Sequence, residues 1–415
     1  MFKSYSALDY LCIDICNHYG KDKWLFEQRI QWVKDNYAQL EQLADTAEDK
    51  PLFIKAVHEL RNVVEGKPTG HIVQLDATCS GIQIMSAITG CVKGADATGL
   101  VTEKRADAYT DVTKKMNEIL KLKGFNQIEV PRKDVKRAVM TSGYGSTLVP
   151  KEVFGEGELL ATFYQAAFAI APAAFELMSA LLDTWQAGAL SHNWVMPDNF
   201  HVNIKVLEKK EVRVEVDELN HATFTTYVDI NQGTEKGLAN VANTIHSIDG
   251  YLLRSVIRRA AFDKNAVEAA VRLIDTELSL RALGGIQARG EPCEELQNMI
   301  NIYNASKMLD VSIINCITAQ NIGLVTTTHL TKLVVTLTKM LELGSSPVIT
   351  VHDSFGAHPN HCDTVRYWYK ELLAELAESD ILQFIVSQIV GRPVQYVKKS
   401  NNLGDLIRNS NYAIC

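Results

Sequence analysis

The chain has 415 residues, enough to bury one large core or roughly two to three smaller ones. Its hydrophobic fraction of 47% and charged fraction of 22% are ordinary for a globular protein, and no apolar run reaches the roughly eighteen residues of a membrane span. The formal net charge of −7 argues against a protein that coats nucleic acid by charge alone, so evidence for nucleic-acid binding must come from a local site.

The cysteines and the first residues bear on the compartment. The eight cysteines include no C-x2-C pair, and Cys12 and Cys16, one helical turn apart, are better explained as packed side chains than as metal ligands. Residues 1–6 lack the apolar segment of a signal peptide. We therefore expect reduced thiols and a cytoplasmic protein with no membrane partner.

Hydrophobic periodicity predicts an α+β, helix-rich fold. Helices are predicted within residues 1–65, over 103–122, 132–143 and 157–187, from 236 to about 342, and over 362–395. Residues 71–76 and 347–352 are predicted to be buried strands, the first ending on Asp76 and the second running into Asp353. Residues 201–229 alternate polar and apolar side chains, which predicts a β-ribbon.

The first segment with chemical potential is 76–83, Asp-Ala-Thr-Cys-Ser-Gly-Ile-Gln. A carboxylate at a strand end, followed by small residues, suits magnesium, which prefers oxygen ligands and is often held by one or two carboxylates plus substrate phosphates. Small residues such as Ala77 also let backbone carbonyls approach an ion. The alternative is that Asp76 only caps the following helix.

The second segment is 132–146, where Arg132 and Lys136 share a helix face and Tyr144 lies near it. Two cations and an aromatic ring in a row can bind a triphosphate and stack on a base or sugar. The alternative is a solvated basic face.

The third segment, 352–356, reads His-Asp-Ser-Phe-Gly. If Asp353 meets Asp76, the pair could bind two ions about 3.5–4 Å apart, the spacing used in phosphoryl transfer. The alternative is a structural turn, because Asp and Ser both favour turns.

Together the three segments resemble the motifs of the bacteriophage and mitochondrial single-subunit RNA polymerases: D-x-x-C-S-G-I-Q, R-x-x-x-K-R-x-V-M-T-x-x-Y-G-S and H-D-S-F-G. Further matches to this family are Asp22-Lys23, Asp107-Ala108-Tyr109, residues 194–200, His246-Ser247-Ile248-Asp249 and the final residues 402–415. The resemblance runs from about residue 10 to the end.

The resemblance implies a right-hand polymerase fold with a palm and fingers, and a DNA-dependent RNA polymerase that adds ribonucleotides to an RNA 3′ end. Asp76, Ala77 and Asp353 would hold two Mg²⁺ ions, and Lys136 and Tyr144 would complete the catalytic set with the two acids. Lys23, Arg132 and His246 would bind the ribonucleoside triphosphate. DNA template and RNA product are the implied partners.

By the same resemblance, residues 1–105 are an N-terminal helical segment and the first part of the palm, and 106–190 the first part of the fingers. Residues 191–345 hold a DNA-reading ribbon, the remaining fingers and a helical insertion, and 346–415 the second part of the palm and the tail. Candidates for contacts of the ribbon with DNA phosphates are Lys205, Lys209, Lys210 and Arg213, and the alternative is an exposed ribbon with solvated charges. Ala77 replaces a frequent glycine, and the segment between His246 and Asp353 is longer than in the family.

The family's N-terminal domain, thumb and D-x-x-G-R segment have no counterpart in this sequence. We therefore expect the catalytic subunit of a polymerase split into two polypeptides, working in the cytoplasm of a phage-infected bacterial cell. A second polypeptide would supply the thumb and the N-terminal half.

Two other functions stay open. A family-A-like DNA polymerase shares the two acids and the Lys-to-Tyr helix, but usually has H-D-E where Ser354 follows Asp353 here, and a glutamate that blocks a ribose in its first motif. A non-catalytic DNA-binding subunit derived from a polymerase would not need the matched set Asp76, Lys136, Tyr144 and Asp353.

Overall fold

The structure is a computed structural model that describes residues 2–285, 290–291 and 293–415. It is rich in helices and contains small antiparallel sheets, which confirms the predicted α+β class.

The α-helices are α1 Ala7–Cys16, α2 Phe26–Asp35, α3 Lys50–Val64, α4 Ser80–Thr89, α5 Val92–Ala97, α6 Ala108–Leu122, α7 Arg132–Ser142, α8 Leu148–Phe154, α9 Glu158–Ile170, α10 Pro172–Leu182, α11 Ala239–Ala260, α12 Lys264–Ala282, α13 Glu294–Ser306, α14 Thr327–Leu343, α15 Cys362–Glu378, α16 Ile381–Val390 and α17 Leu403–Arg408. The strands are β1 Val73–Asp76, β2 Ser191–Val195, β3 His201–Lys205, β4 Glu208–Val216, β5 Ala222–Ile230, β6 Ile349–Val351 and β7 Ser354–Ala357.

A three-stranded antiparallel sheet in the order β1-β7-β6 joins the two ends of the chain. Residue 76 at the end of β1 is paired with Ser354, the first residue of β7. The prediction that the second strand is buried is wrong for β6: it lies at the sheet edge, and Ile349 and Val351 are 51% and 56% exposed. The buried strand is β7, which follows the turn and packs Phe355 into the core.

The helical stretch predicted over 157–187 is two helices, α9 and α10, bent by 108°. Pro172 explains the break, because proline has no backbone N–H and the residue before it, Ala171, is disfavoured in the helical region. Within the described residues, no single helix is long and apolar enough to cross a membrane, and this bent pair is the one combination that meets both conditions together.

The alternating segment forms parts of two hairpins rather than one ribbon. Strand β3 pairs with β2, which the sequence did not predict, whereas β4 and β5 pair with each other over nine residues each. The predicted ribbon is therefore confirmed for 208–230, while 201–205 belong to the neighbouring hairpin. We refer to β4–β5 as the long ribbon.

Helices α11–α14 occupy the region predicted to be helical from 236 to about 342, of which residues 286–289 and 292 lie outside the described residues. Helices α12–α14 share a hydrophobic cluster of their own, which includes Ile274, Leu333 and Leu337 and reaches Trp368 on α15. A larger cluster packs α1–α11 and α15–α17 around the three-stranded sheet.

A buried ion pair connects α11 to α15 at the boundary of these two clusters. The guanidinium of Arg259 is almost completely buried and donates to both carboxylate oxygens of Glu375, at 2.7 and 2.8 Å. Arg259 also lies over the ring of Trp368, 5.3 Å from its centroid. The pair therefore fixes the α11–α15 contact, on which the position of His246 on α11 depends.

Removing one partner of this pair leaves an uncompensated buried charge, so Arg259→Met is expected to lower the free energy of unfolding by about 3–5 kcal/mol. The double variant Arg259→Met/Glu375→Leu should recover most of that loss. The control is Lys115→Met, which breaks the exposed pair with Glu118 and should cost less than about 0.5 kcal/mol. Denaturant unfolding measures all three, and equal costs for Arg259→Met and Lys115→Met would contradict the assignment.

Candidate active site

The two acids predicted to hold metal lie at neighbouring positions of the three-stranded sheet. Asp76 ends β1, and Asp353 is in the two-residue turn between β6 and β7, where His352 adopts a left-handed backbone with φ of 55°. The backbone N–H of Ala77 donates to the carbonyl of Asp353 at 3.2 Å, so the two acid-bearing segments touch. The antiparallel pairing thus brings together residues that are far apart in sequence.

The electrostatics of Asp353 show that negative charge is crowded here. Burial raises the pKa of this carboxyl group, the nearby charge of Asp76 raises it further, and a hydrogen bond from Ser80 opposes the rise only in part. Burial and the charge of Asp353 also raise the pKa of Asp249, on α11, to about 6. A divalent cation bound by these carboxylates would offset the repulsion between their negative charges. Carboxylate oxygens are also ligands that Mg²⁺ prefers, so these residues suit a Mg²⁺ site.

A cleft of about 870 Å³ opens at these strand ends. Of the predicted site residues, it is lined by Asp76, Ala77, Asp353, Lys23, Arg132 and Lys136. Tyr144 and Asp353 line an adjoining cavity of about 130 Å³. The sheet, the start of the chain and α7 therefore contribute to one concave surface, as expected of a substrate site.

Helix α7 presents its basic side chains to the cleft with their orientation already set. Arg132 donates to Asp107, the residue that caps α6, through Nη2 at 2.7 Å and Nε at 2.9 Å. Lys136 and Arg132 both lie 5.6 Å from the ring centroid of Tyr109. Burial would raise the pKa of Asp107, but hydrogen bonds from Thr110 and Arg132 hold it below its ordinary value.

Tyr144 follows the end of α7 and lies against the start of α4. A Cβ atom at Gly81 would come within 2.0 Å of the Tyr144 hydroxyl oxygen, so the glycine is what permits this approach. The exposed ring of His246 lies 5.2 Å from that of Tyr144. The structure thus places Tyr144 and His246 side by side, Tyr144 in the lining of the adjoining cavity and His246 in the lining of neither space. Gln83, the last residue of the first motif, does not face the cleft: its side chain is fully buried and donates hydrogen bonds to the backbone carbonyls of Thr98 and Ala413.

Lys23 lies in the cleft on the segment between α1 and α2, where its ammonium group is paired with Asp22. The segment is fixed by Arg29, a fully buried side chain to which the sequence analysis assigned no role. Its guanidinium donates to Asn17 Oδ1 at 2.8 Å and to the carbonyls of Asp22 and Trp24 at 2.6 and 2.9 Å. Burial of an arginine among carbonyls is not readable from periodicity, which is why the sequence did not reveal it.

The cleft also contains two residues that the sequence analysis overlooked as site residues, Tyr109 and Arg105. The motif Asp107-Ala108-Tyr109 was a signal for Tyr109, whereas no motif pointed to Arg105.

Within the described residues, one group of three potential metal ligands lies within 4.8 Å of one another: Glu215, Asp217 and His221, all exposed at the tip of the long ribbon. This group is separate from Asp76 and Asp353.

The four basic residues predicted to contact DNA do not share one face. Lys205 ends β3, in the other hairpin, while Lys209 and Arg213 lie on one face of the long ribbon and Lys210 on the opposite one. Residues 208–230 carry six carboxylates against these three basic side chains. The long ribbon is therefore acidic overall.

Residues 4–154 match the model of a protein family described as DNA-dependent RNA polymerase. The chain is 32% identical over 178 residues to "DNA-directed RNA polymerase 1, mitochondrial" of Arabidopsis thaliana, which covers 34% of this chain and 18% of the relative. It is 30% identical over 173 residues to the "DNA-directed RNA polymerase" of Pseudomonas phage phiKMV, covering 34% of this chain and 21% of that protein. A mitochondrial DNA-directed RNA polymerase of Neurospora crassa is 29% identical over 168 residues, 35% of this chain and 12% of the relative.

The chain thus spans 12–21% of the length of these curated relatives. The family match includes Lys23, Asp76, Arg132, Lys136 and Tyr144 and ends before His246 and Asp353. The resemblance inferred from the motifs is therefore confirmed over about a third of the chain, and that part is similar to the DNA-dependent RNA polymerases of the phage and mitochondrial type.

Proposed function

We propose that this chain is the catalytic subunit of a DNA-dependent RNA polymerase, which adds ribonucleotides to an RNA 3′ end as a DNA template directs. The observation that carries the proposal is the cleft in which Asp76 and Asp353 face Lys23, Arg132 and Lys136. Two acids for metal opposite three cations for phosphate form the combination that nucleotidyl transfer needs.

The carboxylates of Asp76 and Asp353, with the backbone carbonyl of Ala77, would hold two Mg²⁺ ions. When bound, such ions activate the RNA 3′-hydroxyl and neutralise the leaving pyrophosphate. The protein's part is to hold the two carboxylates adjacent, which the β1–β7 pairing supports.

Lys23, Arg132 and Lys136 would bind the triphosphate of the incoming nucleotide. Arg132 offers a planar fork that Asp107 already orients, and Lys136 a point charge beside Tyr109. Lys136 would also donate a proton to the departing pyrophosphate. Tyr144, with His246 beside it, would contact the ribose and favour it over deoxyribose.

The long ribbon and the β2–β3 hairpin would contact template or promoter DNA. Lys205, Lys209, Lys210 and Arg213 remain the candidates for phosphate contacts. Because the ribbon is acidic overall, contact would be restricted to the edges that carry these side chains.

Asp76→Asn and Asp353→Asn are each expected to reduce nucleotide addition by at least about a thousandfold, because metal stabilisation of the transition state is worth several kcal/mol. The assay is Mg²⁺-dependent extension of an RNA primer on a DNA template with labelled ribonucleotides, run together with the second polypeptide proposed below so that the unaltered protein is active. Titration with Mn²⁺, followed by electron paramagnetic resonance, should show weaker binding to both variants. The control is Asp275→Asn, which changes an exposed carboxylate on α12. Near-normal turnover by Asp76→Asn or by Asp353→Asn would exclude that aspartate from the metal site.

Tyr144→Phe is expected to lower the preference for ribonucleotides over deoxyribonucleotides by about two- to tenfold, the value of one hydrogen bond between neutral groups. Competition between the two nucleotides in primer extension measures it. Tyr164→Phe on α9 is the matched control. If Tyr144→Phe discriminates between ribonucleotides and deoxyribonucleotides as the unaltered protein does, the Tyr144 hydroxyl has no part in sugar selection. A strong preference of the unaltered protein for deoxyribonucleotides would favour a DNA polymerase.

We also propose that a second polypeptide completes the enzyme. The curated relatives are much longer than the part this chain matches, and exposed apolar side chains occur where an upstream half would attach. Between residues 1 and 70 the most exposed are Leu8, Trp24, Tyr37, Leu52, Ile54 and Val64. An interface above about 2,000 Å² is typical of obligate partners. The phage relative is the basis for placing the enzyme in the cytoplasm of an infected bacterial cell.

The purified chain by itself is accordingly expected to give weak or no RNA synthesis on single-stranded template and on a primed hybrid. Co-expression with the polypeptide that carries the D-x-x-G-R segment in the same genome should restore it. Leu52→Lys and Ile54→Lys, on the exposed face of α3, should weaken that restoration, whereas Leu122→Lys on α6, 87% exposed, serves as the control. Processive synthesis by the chain without a partner would refute the split enzyme.

A further inference from the structure

Arg105 lies in the active-site cleft, on the segment between α5 and α6. Four lysine and arginine side chains line this cleft, and the other three are Lys23, Arg132 and Lys136. No motif in the sequence pointed to Arg105, and the proposed function gives it no role.

The four cations differ in how their charge is balanced. Lys23 is paired with Asp22 and Arg132 with Asp107. In the part of the chain that the structure describes, neither Arg105 nor Lys136 has a carboxylate within 4.0 Å. Burial would raise the pKa of Asp22, but Lys23 and, more weakly, Arg105 lower it, so Arg105 lies near the Lys23 segment. Arg105 is therefore a cation available to an anion that enters the cleft.

The guanidinium uses only part of its hydrogen-bonding capacity. Nη1 donates to the hydroxyl of Thr78 at 2.8 Å and also contacts the Cys415 thiol, a weak acceptor. Nε is buried and has no acceptor among the described residues. Nε is therefore a donor left over for an oxyanion, and Nε with Nη2 is a fork of the kind by which arginine binds phosphate.

The two contacts of Nη1 hold Arg105 beside the strand that carries Asp76. Thr78 follows Asp76 by two residues, and Cys415 exchanges backbone hydrogen bonds with Asp76, at 3.0 and 3.3 Å. The guanidinium is thus fixed at the same end of the cleft as the carboxylate proposed to bind metal. A phosphate group shared between metal and protein would lie within its reach.

We propose that Arg105 is a further phosphate-binding residue of this cleft, which binds a non-bridging oxygen of the nucleotide triphosphate or of the pyrophosphate that leaves. The inference rests on the proposed function for the nature of the ligand. It assigns to Arg105 a contact that complements those of Lys23, Arg132 and Lys136 from the side of Asp76.

The test is the binding of ATP, inorganic tripolyphosphate and pyrophosphate, each measured by isothermal titration calorimetry on the full chain. A charge-assisted hydrogen bond is worth roughly ten- to a hundredfold in affinity, so Arg105→Gln should weaken binding of ATP and tripolyphosphate by about that factor. Arg105→Lys, which keeps the charge but not the fork, should weaken it less. The control Lys104→Gln removes one exposed charge at the adjacent position and should change nothing.

If Arg105→Gln weakens the binding of pyrophosphate as much as that of ATP and tripolyphosphate, Arg105 contacts the leaving group. If it weakens only the binding of ATP and tripolyphosphate, Arg105 contacts the incoming nucleotide. Unchanged affinity of Arg105→Gln for all three ligands would overturn the proposal. Because binding is measured without catalysis, absence of RNA synthesis even with the second polypeptide present would count against the proposed function and not against this contact. If Arg105→Gln does not fold, modification of the unaltered chain with phenylglyoxal decides: tripolyphosphate should protect Arg105, and no protection would refute the contact.

Discussion

The candidate site depends on the pairing of β1 with β7. This register sets residue 76 opposite Ser354, so that Asp353 in the preceding turn comes into contact with Ala77. A slip of one residue would turn every side chain of β1 to the other face of the sheet, burying the carboxylate and exposing Leu75. The burial of Val73 and Leu75 on one face and of Phe355 on β7 makes that slip unfavourable. The hydrophobic core therefore fixes the acids as well as the sheet.

The cations of the cleft are held in place by the protein's own acids and aromatic rings. Arg132 is bonded to Asp107, Lys23 to Asp22, and Lys136 lies beside Tyr109. Such pairing restricts long side chains before any ligand arrives, which lowers the entropy lost on binding. The cleft is also lined by carboxylates, so its cations can act on a ligand only as local, oriented charges and not through a positive surface, as the net charge of −7 leads one to expect.

Exposed apolar side chains occur on the long ribbon and on the edge strand β6, whose Val351 also lines the cleft. On the long ribbon Val212, Val214 and Phe224 share one face, and Phe224 is 53% exposed. The edge strand β6 exposes Ile349 and Val351. An open sheet edge and a bare ribbon face are features that proteins usually cover. Their presence here agrees with a chain whose relatives are several times longer than the matched segment.

The sequence by itself determined the type of most elements, and it predicted two acids, three cations and the Tyr144 ring that the structure brings to one cleft and its adjoining cavity. Periodicity and motif spacing are local properties, and the helices around Arg132 and the strand that ends on Asp76 follow from them. It overlooked the break at Pro172 because the alanine-rich flanks on both sides are strongly helical. It also assigned β6 to the interior because a short β-branched segment such as Ile-Thr-Val has the same pattern at a sheet edge and at its centre.

Only the tertiary structure decided which residues meet. Arg29 reaches Asn17 and two carbonyls from inside the core, and Arg105 lies beside Thr78 and Cys415, whose positions in the sequence give no hint of contact. Likewise, the approach of Tyr144 to Gly81 is set by the packing of α4 against its neighbours. Side chains that are distant in sequence acquire their environment from the packing of whole elements. That environment, rather than residue type, determines which cations of the cleft are paired and which remain available to a ligand.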